Sequence, residues 1–186
     1  MNFKVELAEH EVFETERLIL RKIELSDAEQ MYEFTSDPEV TRFVTYVTHE
    51  SLECTQNAII DYFIPNRLES WGIVNRETNE VIGTIDLRIK GDSGTFGWAL
   101  NRNYWGQGLV PEAATVLRDF AFEVLGLKVL IAQHYTENQK SGRVMEKIGM
   151  RKIGQIWVYV AKEEKSVLAD YWALTHEEYL HGQYSA

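Results

Sequence analysis

The sequence predicts an α+β protein whose mixed, mostly antiparallel sheet of about seven strands is flanked by helices. Two observations carry this prediction. Three strands separated by turn signals follow one another over residues 70–100, which is typical of an antiparallel meander. A strand, a glycine turn, a helix and a second strand then follow over residues 95–135. Such a unit crosses over right-handed and makes its two strands parallel.

A single domain over residues 1–186 is expected, because a chain of this length can bury one full core. The sequence contains no repeat, low-complexity tract or linker. A net charge of −10 argues against a general nucleic-acid binder, since contacts of Lys and Arg to phosphate dominate that affinity. An acidic field instead mildly favours cationic partners such as amines.

Cysteine usage and hydropathy indicate the compartment. Cys54 is the single cysteine of the sequence and cannot build a disulfide framework or a zinc site by itself. The N-terminus mixes acidic residues into any apolar run, and no later run is long enough to span a membrane. We therefore expect a cytoplasmic protein that has no bound metal and no contact with a membrane.

The first elements are predicted from a strand pattern and a helix cap. Residues 1–15 are expected to be a loose or edge segment, and residues 17–23 to form a strand. Ser26 and Glu29 have the spacing of a capping box, in which each side chain satisfies an unpaired N–H group. This spacing predicts a helix over residues 27–35.

Thr48 is the expected cap of a longer helix that Pro65 ends. Cys54 should lie on this helix as a small packed residue, because nothing around it indicates a base. The residues predicted to face inward are Leu52, Gln56, Ile59 or Ile60, and Phe63.

The strands predicted next are residues 70–74, 81–88 and 95–100. In the last of them large residues alternate with small ones, so one face is bulky and the other allows close approach. The large residues are Phe96, Trp98 and Leu100, and the small ones are Thr95, Gly97 and Ala99.

The glycine turn is the best candidate for an anion site. Pro111 fits only in the first turn of a helix, so the helix begins no earlier than about Gly108. The N–H groups from Gly106 to Val110 then have no partner inside the helix, and such donors suit a phosphate. A P-loop is excluded because Leu109 and Val110 follow the glycines, and a dinucleotide fingerprint is excluded by Pro111. An ordinary turn before a helix is the remaining alternative.

The last part of the chain is expected to alternate helices and strands. The helix after the glycine turn ends at Gly126, a buried strand spans residues 128–135, and Asn138 caps the next helix, which ends at Gly149. Two final strands, residues 151–161 and 167–175, are joined by a charged turn. The apolar stripe of the first helix is Ala113, Val116, Leu117, Phe120 and Val124; the second helix carries Ser141, Val144, Met145 and Ile148.

These elements and three motifs together resemble the GNAT acetyltransferase superfamily from about Thr15 to Leu180. The motifs are the turn Arg102-Asn-Tyr-Trp-Gly-Gln-Gly108, the helix start Asn138-Gln-Lys-Ser141, and Lys147-Ile-Gly-Met150. The chain looks most like the branch of ribosomal-protein N-terminal acetyltransferases. The segments that carry this closer likeness are Glu14-Thr-Glu-Arg17-Leu-Ile-Leu-Arg21, Glu112-Ala113, and Asp170-Tyr-Trp-Ala-Leu-Thr175. Asn103 departs from the Gln or Arg common in the family's turn.

The resemblance implies that acetyl-CoA is the cosubstrate and that its pyrophosphate lies on the N–H groups of Trp105 to Val110. It implies a GNAT fold in which the central parallel pair is splayed, so that backbone groups in the gap pair with the pantetheine arm. The residues expected to bind the cosubstrate are Ala99, Leu100, Trp105, Gly106, Gln107, Gly108, Leu109, Val110, Asn138 and Lys147. Lys140, Arg143 and Lys147 fall at helical spacing, and this stripe is either a contact to the ribose phosphate or a solvated charged face.

Acetyl transfer to an amine needs a neutral amine, a stabilised oxyanion and a proton for the departing thiolate. A backbone N–H at the end of the strand 95–100 would serve the oxyanion. Many GNAT enzymes donate the proton from a tyrosine at the position where this chain has Met145. Ser141 is therefore the expected catalytic donor, although its hydroxyl would also fit a local backbone contact. The candidate bases are Asp86, Glu112, His134 and Tyr135, and each of them has an equally good structural interpretation. A single histidine on an apolar strand, such as His134, is more often a hydrogen-bonded core residue than a catalyst.

The predicted function is N-acetylation of a primary amine, either a protein N-terminus or a small amine, by direct attack in a ternary complex. The acceptor pocket is expected between the two early helices and the late strand hairpin, and a homodimer is one assembly consistent with the sequence. One alternative is a non-catalytic CoA-binding sensor or scaffold with the same fold, which Met145 favours. Another is an enzyme that uses a longer acyl donor.

Overall fold

The computed structural model describes residues 3–184 of the chain, in which eight strands form one sheet. The strands are β1 (Phe13–Glu14), β2 (Leu18–Arg21), β3 (Ser70–Asn75), β4 (Val81–Lys90), β5 (Ser93–Leu100), β6 (Val129–Tyr135), β7 (Arg151–Val160) and β8 (Lys165–Thr175). The α-helices are α1 (Phe3–Glu9), α2 (Ala28–Thr35), α3 (Pro38–Thr41), α4 (Leu52–Ala58), α5 (Leu109–Glu123), α6 (Gln139–Lys147) and α7 (His176–Tyr184). A π-helical turn, Ile59–Phe63, continues α4.

The strands lie in the order β1-β2-β3-β4-β5-β6-β8-β7. Every neighbouring pair is antiparallel except β5 and β6, which are parallel and are joined through α5. The predicted α+β class, the meander of β3 to β5 and the single parallel pair are thus confirmed. The eighth strand is the short β1, which pairs with β2 at the edge of the sheet.

The two faces of the sheet bury separate hydrophobic clusters. Phe96 and Leu100 of β5 pack with α5 in the larger cluster, whereas Ala99, between them, packs in the smaller one. The smaller cluster includes Met31 of α2 and Ile59 of the π-helical turn. We call the two sides of the sheet the α5 face and the α2 face. The alternation along β5 separates them, because successive side chains of a strand point to opposite sides.

The N-terminal end of the described chain is more ordered than the sequence predicts. The expected loose segment contains α1, which is held by Leu7 at 1% exposure in the larger cluster. At the other end α7 follows β8 directly, and its Tyr179 is buried and stacked on Phe122 of α5. Leu7 and Tyr179 therefore anchor these two short helices to the core.

Two predicted caps are wrong. The capping box expected from Ser26 and Glu29 forms instead between Glu24 and Asp27, because Asp27 accepts from the Glu24 N–H at 2.8 Å. Arg21 donates two hydrogen bonds of 2.8 Å to the same carboxylate and so fixes Asp27 at this position.

In the following helix Ser51 caps α4, since it accepts from the N–H of Cys54, whereas Thr48 bonds to Thr41. α4 is accordingly shorter than predicted, although the helical path still stops before Pro65. Thr55 and Ile59 are its buried residues, and Ile60 is exposed. Cys54 is exposed, so its expected role as a packed residue is also wrong.

Lys22 is a buried cation away from the α5 and α6 region. Its Nζ lies 3.8 Å from the centre of the Trp71 ring and donates to the Leu68 carbonyl at 3.3 Å. Burial lowers the pKa of Lys22 from 10.5 to about 7, although Glu11 acts in the opposite direction. The contact with Trp71 stabilises the cation and offsets part of the cost of burying it.

Replacing this lysine should stabilise the protein most at low pH. The pKa of Lys22 is 10.5 in the unfolded chain and about 7 in the folded chain. Below pH 7 the lysine is charged in both states, and burying the charge lowers the free energy of unfolding by its full amount. This loss of stability decreases as the pH rises from 7 to 10.5. For Lys22→Met we expect a gain of about 1 kcal/mol at pH 6.5, or about 2–4 °C in Tm, that shrinks toward pH 10. Thermal unfolding at both pH values measures this, with the exposed Lys90→Met as control; a gain independent of pH would contradict it.

Candidate functional site

Strands β5 and β6 separate toward their carboxyl ends. They pair over three register positions, from Ser93 opposite Val129 to Thr95 opposite Ile131, and no pair is formed beyond this point. The rest of each strand remains in the sheet only through its other neighbour, β4 or β8. A gap lined by backbone groups therefore opens in the middle of the sheet.

The direction of each backbone group along β5 follows from its pairing with β4. The N–H of Asn101 donates to the Ile82 carbonyl at 2.7 Å, so Asn101 belongs to a hydrogen-bonded pair of the antiparallel ladder. Such pairs alternate with pairs that are not hydrogen-bonded. The backbone groups of Ala99 therefore point to Thr84 on β4, whereas those of Trp98 and Leu100 point into the gap. Ala99, one of the residues expected to bind the cosubstrate, therefore offers the gap its small side chain and no backbone group.

The glycine turn lies between the end of β5 and the start of α5. Gly106 and Gly108 have φ angles of +79° and +78°, which residues with a side chain rarely adopt. Among the described residues no atom lies within 4 Å of the position that a Gly106 Cβ would take. Helix α5 starts at Leu109 as predicted, with Gly108 at the cap position.

The turn presents a row of unpaired donors. Within the described part of the chain, the N–H groups of residues 106–110 have no hydrogen-bond acceptor. The Trp105 N–H is different, since it donates to the Arg102 carbonyl at 3.1 Å. The Trp105 N–H is therefore not available to a ligand, contrary to the prediction. The other five amides stand at the positive end of the α5 dipole and form a site suited to an anion.

Arg17 and Glu112 hold the turn in this conformation. The Glu112 carboxylate accepts from the Thr15 hydroxyl at 2.6 Å, from the Arg17 N–H at 2.9 Å and from the Arg17 guanidinium at 2.7 Å. The guanidinium also donates to the Gln107 carbonyl at 2.9 Å. Because the N–H and C=O of a trans peptide point in opposite directions, this bond turns the Gly108 N–H away from Arg17.

The same contacts exclude Glu112 as the base. Burial alone would raise the pKa of Glu112, but the hydrogen bonds from Thr15 and Arg17 outweigh it and lower the pKa. A carboxylate with a lowered pKa and both oxygens engaged is a poor proton acceptor. Glu112 therefore supports the turn. The contact also joins two of the motifs found in the sequence, the one that contains Thr15 and Arg17 and the one that contains Glu112.

The Trp105 side chain closes the end of the gap nearest the turn. Its Nε1 donates to the Leu100 carbonyl at 2.8 Å, so one gap-facing group of β5 is satisfied from within the chain. On its other side the Lys140 ammonium lies 3.9 Å from the centre of the indole ring. The first turn of α6 is thereby placed next to the glycine turn. The Leu100 N–H remains directed into the gap.

The start of α6 brings Asn138 and Ser141 together, as predicted. The Asn138 Oδ1 accepts from the Ser141 N–H at 3.4 Å, and the Asn138 Nδ2 donates to the Ser141 Oγ at 3.0 Å. The hydroxyl of Ser141 thus acts as an acceptor within the chain, and its proton is free to be donated elsewhere. Met145 is 1% exposed and packs in the larger cluster.

The three cations of α6 are spread along the helix. Lys147 lines an open cavity of about 530 Å³ that runs beside the first turns of α5, together with Pro111 and Thr115. Lys140 lies over Trp105, and Arg143 is exposed. All three residues are exposed, and two of them lie beside the glycine turn or the helix that follows it.

His134 is a hydrogen-bonded core residue, which was one of its two interpretations. It is buried, its Nδ1 lies 2.7 Å from the Tyr135 carbonyl oxygen, and its Nε2 accepts from the Trp172 Nε1 at 3.1 Å. Both ring nitrogens have partners inside the fold. It is therefore an unsuitable base in this conformation.

Asp86 and Tyr135 lie on the α2 face, on either side of the gap. The Asp86 carboxylate accepts from the Tyr62 hydroxyl at 2.9 Å, and burial raises the pKa of Asp86 despite this bond. The Tyr135 ring packs edge-on against Phe43, and its hydroxyl is buried without a partner in the described structure. Both residues line the side of the gap that α5 and α6 leave uncovered.

A second cavity, of about 590 Å³, lies beside Tyr135 between the segment after α3 and the β7–β8 hairpin. Its walls include Arg42, Phe43, Trp157 and Lys165. The hairpin is attached to the end of α3, because the Lys162 ammonium donates to the Thr41 carbonyl at 2.6 Å. The cavity borders the hairpin that was expected to form one wall of the acceptor pocket, but none of its lining residues belongs to the two early helices α2 and α4.

Residues 3–184 contain no group of three or more His, Cys, Asp and Glu side chains that could hold a metal ion. Within the same residues no helix is long and apolar enough to cross a bilayer.

The family model described as "Acetyltransferase (GNAT) domain" matches residues 17–151. Among curated proteins, the uncharacterized N-acetyltransferase p20 of Bacillus licheniformis is 30% identical over 175 residues, which cover 91% of this chain and 98% of that protein. Among solved structures, a GNAT-family acetyltransferase from Bacillus anthracis is 28% identical with a TM-score of 0.80, over 89% of this chain and 99% of that one.

A spermidine N-acetyltransferase from Vibrio cholerae, solved with CoA and spermine, shares the fold at 16% identity. Its TM-score is 0.72, over 89% of this chain and 99% of that one. The β5–β6 gap and the free amides of the turn are the features that the resemblance to this family implies, and the family model matches the same part of the chain. The chain belongs to the GNAT acetyltransferase family and is an N-acetyltransferase.

Proposed function

We propose that the enzyme transfers an acetyl group from acetyl-CoA to a primary amine, of a protein N-terminus or a small molecule, by direct attack in a ternary complex. The observation that carries this proposal is the row of five unpaired amides, residues 106–110, at the end of the β5–β6 gap. A diphosphate and an extended amide-containing arm are the chemical groups that fit these two features. The CoA-bound relative from Vibrio cholerae supports the choice of carrier.

The residues that would hold acetyl-CoA divide by chemistry. Backbone amides of Gly106, Gln107, Gly108, Leu109 and Val110 would bind the pyrophosphate. The backbone of Trp98 and the Leu100 N–H would pair with the arm or the thioester oxygen, with Ala99 small beside them. Asn138 would position the start of α6, and Lys147 or Lys140 would meet a phosphate. Bound acetyl-CoA would supply the activated acetyl group.

The Leu100 N–H is suited to stabilise the oxyanion. It is fixed by the ladder to β4 and by the bond from Trp105 to the Leu100 carbonyl, so its direction is set before charge develops. Leu100 is 7% exposed, so few water molecules compete for this donor. The sequence predicted such a donor at the strand end, and the alternation along β5 selects Leu100 in preference to Ala99.

Ser141 would protonate the departing thiolate. Its hydroxyl accepts from Asn138 and retains its own proton, and it lies on the α5 face, on which the carrier is expected. The sulfur of Met145 cannot donate a proton, and its burial in the core gives it a packing role. Family membership favours the enzyme over the non-catalytic CoA sensor, the alternative that Met145 had suggested.

A thiol-release assay tests the proposed reaction. Acetyl-CoA is offered with a panel of amines that includes peptide N-termini, amino acids and polyamines, and free CoA is measured over time. We expect turnover with at least one primary amine and intersecting double-reciprocal plots when both substrates are varied, as a ternary complex requires; parallel plots would indicate a covalent acetyl-enzyme instead. CoA binding without release on any amine would reject the reaction, and a preference for longer acyl-CoA would reject acetyl as the donor.

Gly106→Glu should abolish CoA binding. The new side chain adds a carboxylate where the diphosphate would lie and forces a positive φ on a residue with a Cβ. We expect CoA affinity to fall by about 100-fold or more, measured by calorimetry. Gly91→Glu is a matched control, because Gly91 has a φ of +65° and equal open space but lies in the β4–β5 turn. Equal affinities of the two variants would remove the turn from the site.

Ser141→Ala should lower kcat by about 10- to 100-fold with little change in the KM for acetyl-CoA. The helix start should survive, because Asn138 caps it through the Ser141 N–H and not through the hydroxyl. Steady-state kinetics measure the effect, and Ser93→Ala at the opposite end of β5 controls for the loss of a hydroxyl. Turnover equal to that of the wild type would reject the proton-donor role.

A further inference from the structure

Asp86 lies on the α2 face, at the edge of the gap, and its surroundings indicate what it binds. We propose that Asp86, with Tyr62 and Tyr46 beside it, binds the ammonium group of the acceptor. The acceptors of this enzyme are then primary amines that are cationic at neutral pH, and aryl amines or alcohols are excluded. This inference rests on the proposed function, because it names the substrate class of the same site.

The position of Asp86 connects it to the gap. Asp86 is opposite Gly97 in the β4–β5 ladder, and Gly97 is two residues beyond the last β5–β6 pair. A Cβ on Gly97 would lie 3.7 Å from the Asp86 Oδ2 and 3.2 Å from the Arg88 guanidinium. The missing side chain therefore leaves room for the half-exposed Arg88 guanidinium beside the carboxylate. This is the same small-residue face of β5 that the sequence singled out.

The charge of Asp86 is incompletely compensated. Its Oδ2 accepts from Tyr62 and lies 4.0 Å from the Arg88 guanidinium, which is half exposed. Its Oδ1 and the Oγ of Ser70, which is opposite it on β3, are buried without a well-aligned hydrogen bond in the described structure; burial raises the pKa of Asp86, and the nearby Ser70 hydroxyl offsets only part of that rise. A buried carboxylate is normally satisfied by several donors or by a paired cation. An ammonium group would supply the missing positive charge and donors.

The aromatic residues around Asp86 suit the same ligand. Tyr62 comes from the π-helical turn after α4 and contacts the carboxylate directly, with 36% of its surface exposed. Burial is the larger cause of the raised pKa of the Tyr46 hydroxyl, and the nearby charge of Asp86 raises that pKa further. Ring faces and a carboxylate both attract an alkylammonium ion. A neutral acceptor would leave the carboxylate buried and unpaired, which the binding energy would have to offset.

Binding of a charged probe and its neutral isostere tests the proposal without relying on turnover. Phenethylamine, which is a cation at neutral pH, and 2-phenylethanol are titrated into the CoA-saturated protein and followed by calorimetry or ligand-observed NMR. We expect phenethylamine to bind about 30-fold or more tightly than 2-phenylethanol. In Asp86→Asn this difference should disappear, whereas Tyr62→Phe, which keeps the carboxylate, should retain most of it.

Asp61→Asn is the matched control, since Asp61 is an exposed carboxylate adjacent to Tyr62 in the chain and loses the same charge. It should retain the preference of the wild type for the cation. Equal binding of the two probes by the wild type, no saturable binding of phenethylamine, or an undiminished preference in Asp86→Asn would each overturn the proposal. CoA affinity, measured alone on each variant, separates this failure from that of the proposed function, because Asp86→Asn should leave it unchanged.

Discussion

The separation of β5 and β6 is the constraint on which the rest of the structure depends. A sheet normally satisfies its backbone groups by pairing along the full length of each strand. Here pairing stops after Thr95, and the freed groups of β5 need other partners. The Trp105 indole provides one by binding the Leu100 carbonyl. Among residues 3–184 the Leu100 N–H has no such partner, and it is available to a substrate.

The glycine turn would be of little use if it were mobile, and its rigidity comes from a distant part of the chain. Arg17 and Glu112 are separated by 95 residues, yet their contact joins the start of β2 to the first turn of α5. The additional bond from Arg17 to the Gln107 carbonyl orients one peptide of the turn. The donors are thus held in place before an anion arrives, which lowers the entropic cost of binding.

Local rules predicted much of this architecture from the sequence. Pro111 fixed the start of α5, and Asn138 was identified as the cap of α6, because both signals act within one helical turn. The cap at Asp27 was missed, since Ser26 and Glu29 have equally suitable spacing and the choice is made by Arg21 through a tertiary contact. For the same reason the sequence could not separate Asp86 from Glu112. One carboxylate is neutralised by a remote arginine and the other is not, and only the fold shows which.

The two faces of the sheet also separate mutations that would affect binding of the donor from mutations that would affect binding of the acceptor. In the proposed binding mode, α5, α6 and the glycine turn would recognise the donor, whereas the second cavity and the hairpin attached to α3 lie toward the α2 face. Substitutions in sites that share no contacts tend to have additive effects. If the acceptor binds on the α2 face, substitutions in the hairpin and in the segment after α3 would change the range of acceptors without changing how the thioester is bound. A designer seeking a new acylation target would begin there and leave the far side of the sheet alone.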